Sequence, residues 1–258
     1  MSIVEKSFHQ ITKNPILAHE DVEPKARNLS IERNAAIVWQ PFKFYVGSKQ
    51  VKLPPAKAES TSLFSLLERR RSLRSFSAKP LSLEELSTLL YYSSGVTDSR
   101  DGWPLTTSPS AGSFHLVETY AICLDVESVD IGAYHYYPPL HSLHLMRKMT
   151  REDFINTIVS KSITTRMKLP ELPTLQTVPL ALVLTASYSR LTRPLLERTY
   201  RYVHIEAGCI GQNVLLLSEA LGLGGVVFGG FCDDPLGTAI TLESNDFPVI
   251  MILLGRKT

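Results

Sequence analysis

A chain of 258 residues with 44% hydrophobic side chains can bury a substantial core, as one large domain or two small ones. Its 27 basic residues stand against 25 acidic ones, and a net charge of +2 argues against nucleic acid or a membrane surface as the main partner. Cys123, Cys209 and Cys232 are scattered and form no CxxC pair, so they read as reduced thiols of a cytoplasmic protein, not as a disulfide framework or zinc site.

The opening MSIVEKSFHQ has no apolar core like that of a signal peptide, and the apolar runs 178–186 and 249–254 are too short to span a bilayer. Residues 1–60, with Pro54-Pro55 and little periodicity, read as an extended N-terminal arm on a domain over 61–258. Leu63, Phe64, Leu66 and Leu67 suit a short helix over 62–70. Ser82-Leu83-Glu84-Glu85 is a capping box; Leu86, Leu89 and Leu90 then share one helical face, and Gly95 is expected to end the helix. Next comes a run of six small residues, Ser108-Pro109-Ser110-Ala111-Gly112-Ser113. Turns need glycine or proline but rarely such a run, so the patch suggests a large flat ligand lying against the backbone.

A strand over 119–124 follows, then a hairpin over 132–146 turning at Pro138-Pro139. Thr150 with Asp153 opens another helix, and the run 180–186 reads as a buried strand. The longest helical pattern covers 200–221, with Val203, Ala207, Ile210, Val214 and Leu217 on one face. Gly222 and Gly224 are expected to terminate it, ahead of strands over 226–231 and 248–254. Irregularly interleaved helices and strands predict an α+β fold, a central sheet with helices packed on it.

The densest basic cluster is Arg69-Arg70-Arg71-Ser72-Leu73-Arg74. Guanidinium groups bind phosphate through paired, charge-assisted hydrogen bonds, although a solvated helix end accounts for the same residues. Gly229-Gly230 ends an apolar strand, where glycine often marks the approach of a ligand to backbone. It is not the dinucleotide fingerprint, which places its glycines between strand and helix. Arg256-Lys257 follows the last strand, with a solvated tail as the plain alternative. No metal site is expected: His135, His141 and His144 share a hairpin with mixed facing and no supporting carboxylate. His204 and Glu206 lie on different faces of their helix. His115 reads either as a polar group beside a substrate or as the start of an element. Gln212 and Asn213 are expected to bond across a dimer or to backbone.

Taken in order, RRSLRSF, PLSLEELSTLLYYSSGV, PSAGSFHLVETY, GAYHYYPPLHSL and YRYVHIEAGCIGQNVLLLSEALGLGGVVFGGF resemble the nitroreductase-like flavoproteins. The likeness is strongest to the SagB-type branch, the dehydrogenases of thiazole- and oxazole-modified peptide synthesis. It implies a nitroreductase-like fold, a central mixed sheet flanked by helices, with FMN at a homodimer interface. It also implies hydride transfer at flavin N5, on a modified peptide or another natural-product intermediate. The alternatives are an NAD(P)H-dependent nitro- or quinone reductase, and a catalytically degenerate scaffold subunit.

By the same resemblance, Arg70, Arg71 and Ser72 match phosphate- and ribityl-side contacts. Arg74 matches a cation near N1/O2, and Gly229 and Gly230 the backbone facing N5 and O4. Arg256, and Lys257 with it, match a C-terminal phosphate contact. Pro109, Ser110, Ala111 and Ser113 match the backbone that lies against a ring held largely by the other subunit. Azoline dehydrogenases of this branch carry a Lys-Tyr pair just before an ER-x-YR stretch. Here Arg193-Pro194-Leu195-Leu196 stands before Glu197-Arg198-Thr199-Tyr200-Arg201, so that pair is absent. Leucine cannot take a proton, and Tyr188 and Tyr200 are the candidates left for that role.

Overall fold

The computed structural model describes residues 40–58, 60–158, 172–190 and 198–258. Seven strands build the main sheet: β1 (Gln50–Lys52), β4 (Val117–Cys123), β5 (Gly132–Tyr137), β6 (Ser142–Lys148), β7 (Leu180–Ser187), β8 (Leu223–Phe228) and β9 (Asp246–Arg256). Their order is β1-β6-β5-β4-β7-β9-β8. Two further strands, β2 (Val96–Arg100) and β3 (Trp103–Thr106), form a separate hairpin. The helices are α1 (Leu63–Arg69), α2 (Leu83–Ser94), α3 (Arg151–Ile158), α4 (Leu172–Thr177), α5 (Thr199–Ala220) and α6 (Asp233–Ala239). The ladders are antiparallel, and parallel pairing enters through the bridges Ser72–Gly225 and Leu81–Val126, so the expected α+β fold with a mixed sheet between helices is present.

Side-chain alternation divides the core in two. Leu180, Leu182 and Leu184 of β7, with Ile252 and Leu254 of β9, face Leu86, Leu89 and Leu90 of α2 and Val203, Ala207, Ile210 and Val214 of α5. Ala181, Val183, Met251 and Leu253 face Phe154 and Ile158 of α3, Leu175 of α4 and Leu236 of α6. Every residue of β4 and β7 is buried, as apolar layers on both faces require. Each fully buried leucine here stabilises the fold by about 1.5–3 kcal/mol.

The local signals resolve unevenly. In the capping box of α2, Glu85 N donates to Ser82 Oγ (3.2 Å) and Ser82 N to Glu85 Oε2 (2.8 Å). Thr150 and Asp153 cap α3 in the same way. Pro138–Leu140 turns the hairpin as expected. Gly95 ends α2 in extended backbone, φ −70°, not in a left-handed cap; a Cβ there would collide with the Tyr91 carbonyl. Gly222 does take the left-handed conformation after α5, φ 70°. Gly224, expected to help end that helix, lies inside β8, because Leu73 packs where its Cβ would be. Pro248 is accommodated within β9 because the β7–β9 register shifts between Leu184 and Thr185. No described helix is long and apolar enough to cross a membrane.

Residues 40–58 lie on this body. β1 pairs with β6, Lys57 N donates to Thr88 Oγ1 (3.1 Å), and Arg190 donates to the carbonyls of Gln40 (2.8 Å) and Pro41 (2.6 Å). Residues 1–39, the greater part of the expected arm, lie outside the described residues.

Candidate functional site

β8 is the last strand of the sheet, so one edge of it carries no full partner strand. The chain leaving α1 runs along this edge: Ser72 bridges Gly225, and Leu73 N donates to Gly225 O (3.0 Å). This course delivers Arg74 to a cleft of about 350 Å³ lined by Thr174, Val226, Val227, Phe228, Gly229, Gly230 and Leu253. The Thr174 hydroxyl donates to the Arg74 carbonyl and fixes the approach. Three residues expected at one ligand, Arg74, Gly229 and Gly230, therefore share a cavity. Thr174, Val226 and Val227 are lining residues that no charge or glycine signal marked.

Among the described residues, nothing in the packing requires a glycine at 229. Its φ is not left-handed, and an added Cβ would meet nothing within 4 Å. Gly255, by contrast, is required by packing: a Cβ there would sit 2.8 Å from the Phe76 ring and 2.9 Å from Pro179.

The expected cations divide into two groups. Arg70 and Arg74 have no side-chain hydrogen bond or ion pair among the described residues, and Ser72 is exposed. Arg71 donates to the Glu68 and Arg70 carbonyls, each at 2.8 Å. Arg256 donates to Pro80 O (3.0 Å) and Glu85 Oε2 (2.9 Å), and Lys257 to Glu219 (2.9 Å). The C-terminal cations are therefore tied to α2 and α5 in the chain as it stands.

The small-residue run forms a tight turn ahead of β4. Gly112, Ser113 and His115 all take left-handed backbone, φ 61°, 55° and 48°. Part of the run's small size thus serves the turn itself, since two non-glycine residues in this region are strained. Side chains hold the turn from both sides. Trp103 Nε1 donates to Ser113 O (2.6 Å), His115 N donates to Ser110 Oγ (2.9 Å), and Ser110 Oγ donates to Glu206 Oε2 of α5 (2.6 Å). Pro109 is exposed and Ala111 half-buried. His115 is buried; its Nε2 donates to Pro104 O (3.0 Å), and burial pushes its pKa down to about 4. A neutral histidine bound to backbone is a structural group, which resolves its two readings.

Val117 pairs with Ala186, Ala186 with Phe247, and further along β9 Met251 pairs with Phe228. Met251 is level with Val183 and Tyr120, so turn and cleft are offset along the strands as well as across them. β4 and β8 are separated by β7 and β9, three strand spacings or roughly 14 Å. One chain does not bring the small-residue turn into contact with the cleft.

Tyr188 and Tyr200 flank Phe247, with ring centroids 5.7 Å and 5.9 Å from it. The Tyr188 hydroxyl is buried with no hydrogen-bond partner among the described residues, and burial pushes its pKa up to about 12. Residues 191–197, where the Lys-Tyr pair would stand, lie outside the described residues. Beside this cluster is an ionic network, buried except at Glu243. Lys43 Nζ lies 2.5 Å from Asp246 and 2.8 Å from Glu243, and Glu118 meets both Arg190 (3.1 Å) and His135 (2.9 Å). Burial alone would raise the Glu118 carboxyl; Arg190 and His135 outweigh it and hold the group below its ordinary value. A carboxylate thus does support His135. His141 instead bonds Ser87 and Tyr136, so the three hairpin histidines serve separate partners. Asn213 bonds backbone, donating to Ser93 O (3.3 Å).

Comparison with known proteins gives this geometry a family. The sequence profile described as the nitroreductase family matches residues 67–256. A Methanocaldococcus jannaschii protein named for the nitroreductases is 34% identical over 210 residues, covering 81% of this chain and 96% of its own. Among solved structures, a Ralstonia eutropha protein titled as a nitroreductase superposes with a TM-score of 0.65 at 24% identity, covering 83% of this chain and 92% of that one. A similarly titled Anabaena variabilis chain gives 0.71 at 21% identity; the match covers 98% of this chain and 47% of that one. The Escherichia coli microcin synthetase McbBCD complex, with truncated pro-MccB17 bound, gives 0.61 at 18% identity over 100% and 98% of the two chains. The profile spans the arginine cluster, the small-residue turn and the paired glycines alike, and the chain belongs to the nitroreductase family of oxidoreductases.

Proposed function

We propose that this protein is an FMN-dependent oxidoreductase of the SagB type, working as a homodimer on a modified peptide or a related natural-product intermediate. The observation that carries the reading is the cleft in which Arg74 meets Gly229-Gly230. The residues fit the cofactor: Arg70 and Arg74, whose guanidinium groups are unpaired among the described residues, bracket the segment that runs along the β8 edge, and a glycine with open space beside it follows that strand. Bound FMN supplies hydride transfer at N5.

In this reading Arg70 and Ser72 hold the phosphate end, and Arg74 places a positive charge at the polar edge of the ring, where charge develops on reduction. Gly229 and Gly230 bring backbone close to the ring without side-chain bulk. In its own chain the strand that the 108–115 turn enters lies three strand spacings, roughly 14 Å, across the sheet from β8, which supports delivery of the turn to the ring from a second protomer. With its pKa near 12, Tyr188 keeps its proton at neutral pH and suits donation better than abstraction.

The branch assignment rests on the sequence likeness and on the fold shared with a chain of the microcin synthetase McbBCD complex. Leucine and proline at 194–196 favour a second reading, an NAD(P)H-dependent nitro- or quinone reductase. FMN-loaded protein offered a thiazoline peptide, and separately NAD(P)H with a nitroarene or quinone, tests both. A mass loss of two hydrogens from the peptide supports the first reading; nicotinamide oxidation coupled to acceptor reduction, with the peptide unchanged, supports the second.

A further inference from the structure

Glu206 is a buried carboxyl on the apolar side of α5, between Val203 and Ile210. A carboxyl in such a place is costly unless it is fully bonded. Its hydrogen-bond partners among the described residues all belong to the entry into β4: Oε2 accepts from Ser110 Oγ (2.6 Å) and Oε1 from Val117 N (3.3 Å). Ser110 Oγ in turn accepts from His115 N (2.9 Å). With Glu206 ionised, the Ser110 hydroxyl and the Val117 and His115 amides each point at an acceptor. The clamp thus closes across a turn that holds three left-handed residues, Gly112, Ser113 and His115.

We propose that Glu206 is the positioning residue of the 110–115 turn: it holds the Ser110 hydroxyl inward, and on taking a proton it turns that hydroxyl outward, toward whatever lies against the turn. The neutral acid must donate its own O–H, and of its two hydrogen-bond partners among the described residues only Ser110 Oγ can accept. Ser110 then cannot donate back, and its hydrogen is released to the half-exposed outer side. Burial pushes the Glu206 pKa up to about 7, against the opposing hydrogen bonds from Ser110 and Val117, so both states are accessible near neutrality. The charged groups facing Glu206 from other elements are Arg190, which opposes that rise, and Glu118, which adds to it. Glu118 is held ionised, and His115, lowered to about 4, stays neutral over the same range. His204, on α5 itself, is exposed and bonds the Tyr200 carbonyl (2.7 Å).

The consequence for the ligand rests on the flavin reading; the clamp does not, and the turn carries its own reporter. Trp103 donates to the Ser113 carbonyl, and the chain has only one other tryptophan, Trp39. The experiment uses the full chain carrying Trp39→Phe, free of FMN, and follows Trp103 emission with pH. The expected result is a single step between about pH 6 and pH 8. Glu206→Gln and Ser110→Ala each remove the step, and His204→Asn retains it. A parent without a step, or a step that survives Glu206→Gln, overturns the proposal. Should Glu206→Gln fail to fold by circular dichroism, Ser110→Ala carries the test alone, and a surviving step there has the same force.

FMN dissociation constants then separate the two claims. Affinity is expected to change by about threefold or more across the step in the parent and to stay flat in Glu206→Gln. A fluorescence step lost in Glu206→Gln, in a protein that binds no FMN, upholds the clamp and removes the flavin reading. FMN binding with no fluorescence step does the reverse.

Discussion

Gly229 and Gly255 are both glycines near the end of a strand, yet they answer to different demands. At Gly229 an added methyl enters open space, so Gly229→Ala is expected to unfold in urea within about 0.5 kcal/mol of the parent while FMN affinity falls. Gly255→Ala is expected to lose about 1–3 kcal/mol of stability, because Phe76 and Pro179 occupy the space. Arg70→Ala should weaken FMN binding by about 1.5–3 kcal/mol and riboflavin binding much less, since riboflavin lacks the phosphate. Equal losses for the two ligands would make Arg70 a structural residue. Glu206 adds a pH signature. Folding raises its carboxyl from 4.5 to about 7, so the folded chain binds that proton more tightly than the unfolded one. Its contribution, on the order of 3 kcal/mol, is complete below 4.5 and is lost as pH rises toward 7. Glu118 runs the other way: held low, it stabilises above its ordinary value, and that stability is lost in acid as pH falls through its folded pKa. Thermal melts of Glu206→Gln should therefore lack the parent's fall between pH 5 and pH 7. The charges and glycines at the cleft were legible from sequence as residue types that bind phosphate or admit a ligand. Glu206 was not, because a single carboxylate beside the stripe Val203, Ala207, Ile210 and Val214 looks like the edge of a solvated face until Ser110 and Val117 are seen across from it.

Elements with a chemical start signal were the readable ones. The capping boxes opened α2 and α3 where Ser82 and Thr150 stand, and Pro138-Pro139 turned the β5–β6 hairpin. Ser82→Ala is expected to cost about 1 kcal/mol in denaturant unfolding, and more if the loss frees Glu85 from Arg256, which shares the same carboxylate oxygen. The β2–β3 hairpin turns at Asp101-Gly102, a pair that favours tight hairpins, but Val96–Arg100 is mostly exposed and carries no alternation to mark it as a strand. The start of β8 was hidden for another reason. Leu223, Gly224 and Gly225 look like a helix terminus in sequence, and only packing explains the two glycines in the strand: Leu73 fills the space beside Gly224, and Leu254 and Leu215 that beside Gly225. α4 and α6, of six and seven residues, are too short to show a period.

At the scale of the molecule, the cleft on β8 and the turn before β4 stand apart in one chain, with β7 and β9 between them. A site assembled from two chains reconciles that separation with the resemblance. The surface offers apolar groups for such an assembly: Leu63, Phe64 and Leu67 of α1 are 55%, 78% and 50% exposed, and Ile205 of α5 is 64% exposed. Light scattering is expected to give about twice the 28.8 kDa chain mass, and a stable monomer that holds FMN would remove the two-chain site. The expectation of a second chain comes only from family likeness, because no periodicity in one chain states what another brings to it. The most direct test is the absorption spectrum of the purified protein, followed by denaturing extraction of whatever it holds. Flavin bands with FMN in the extract are the predicted result; a colourless protein that also fails to bind added FMN at micromolar concentration contradicts the account.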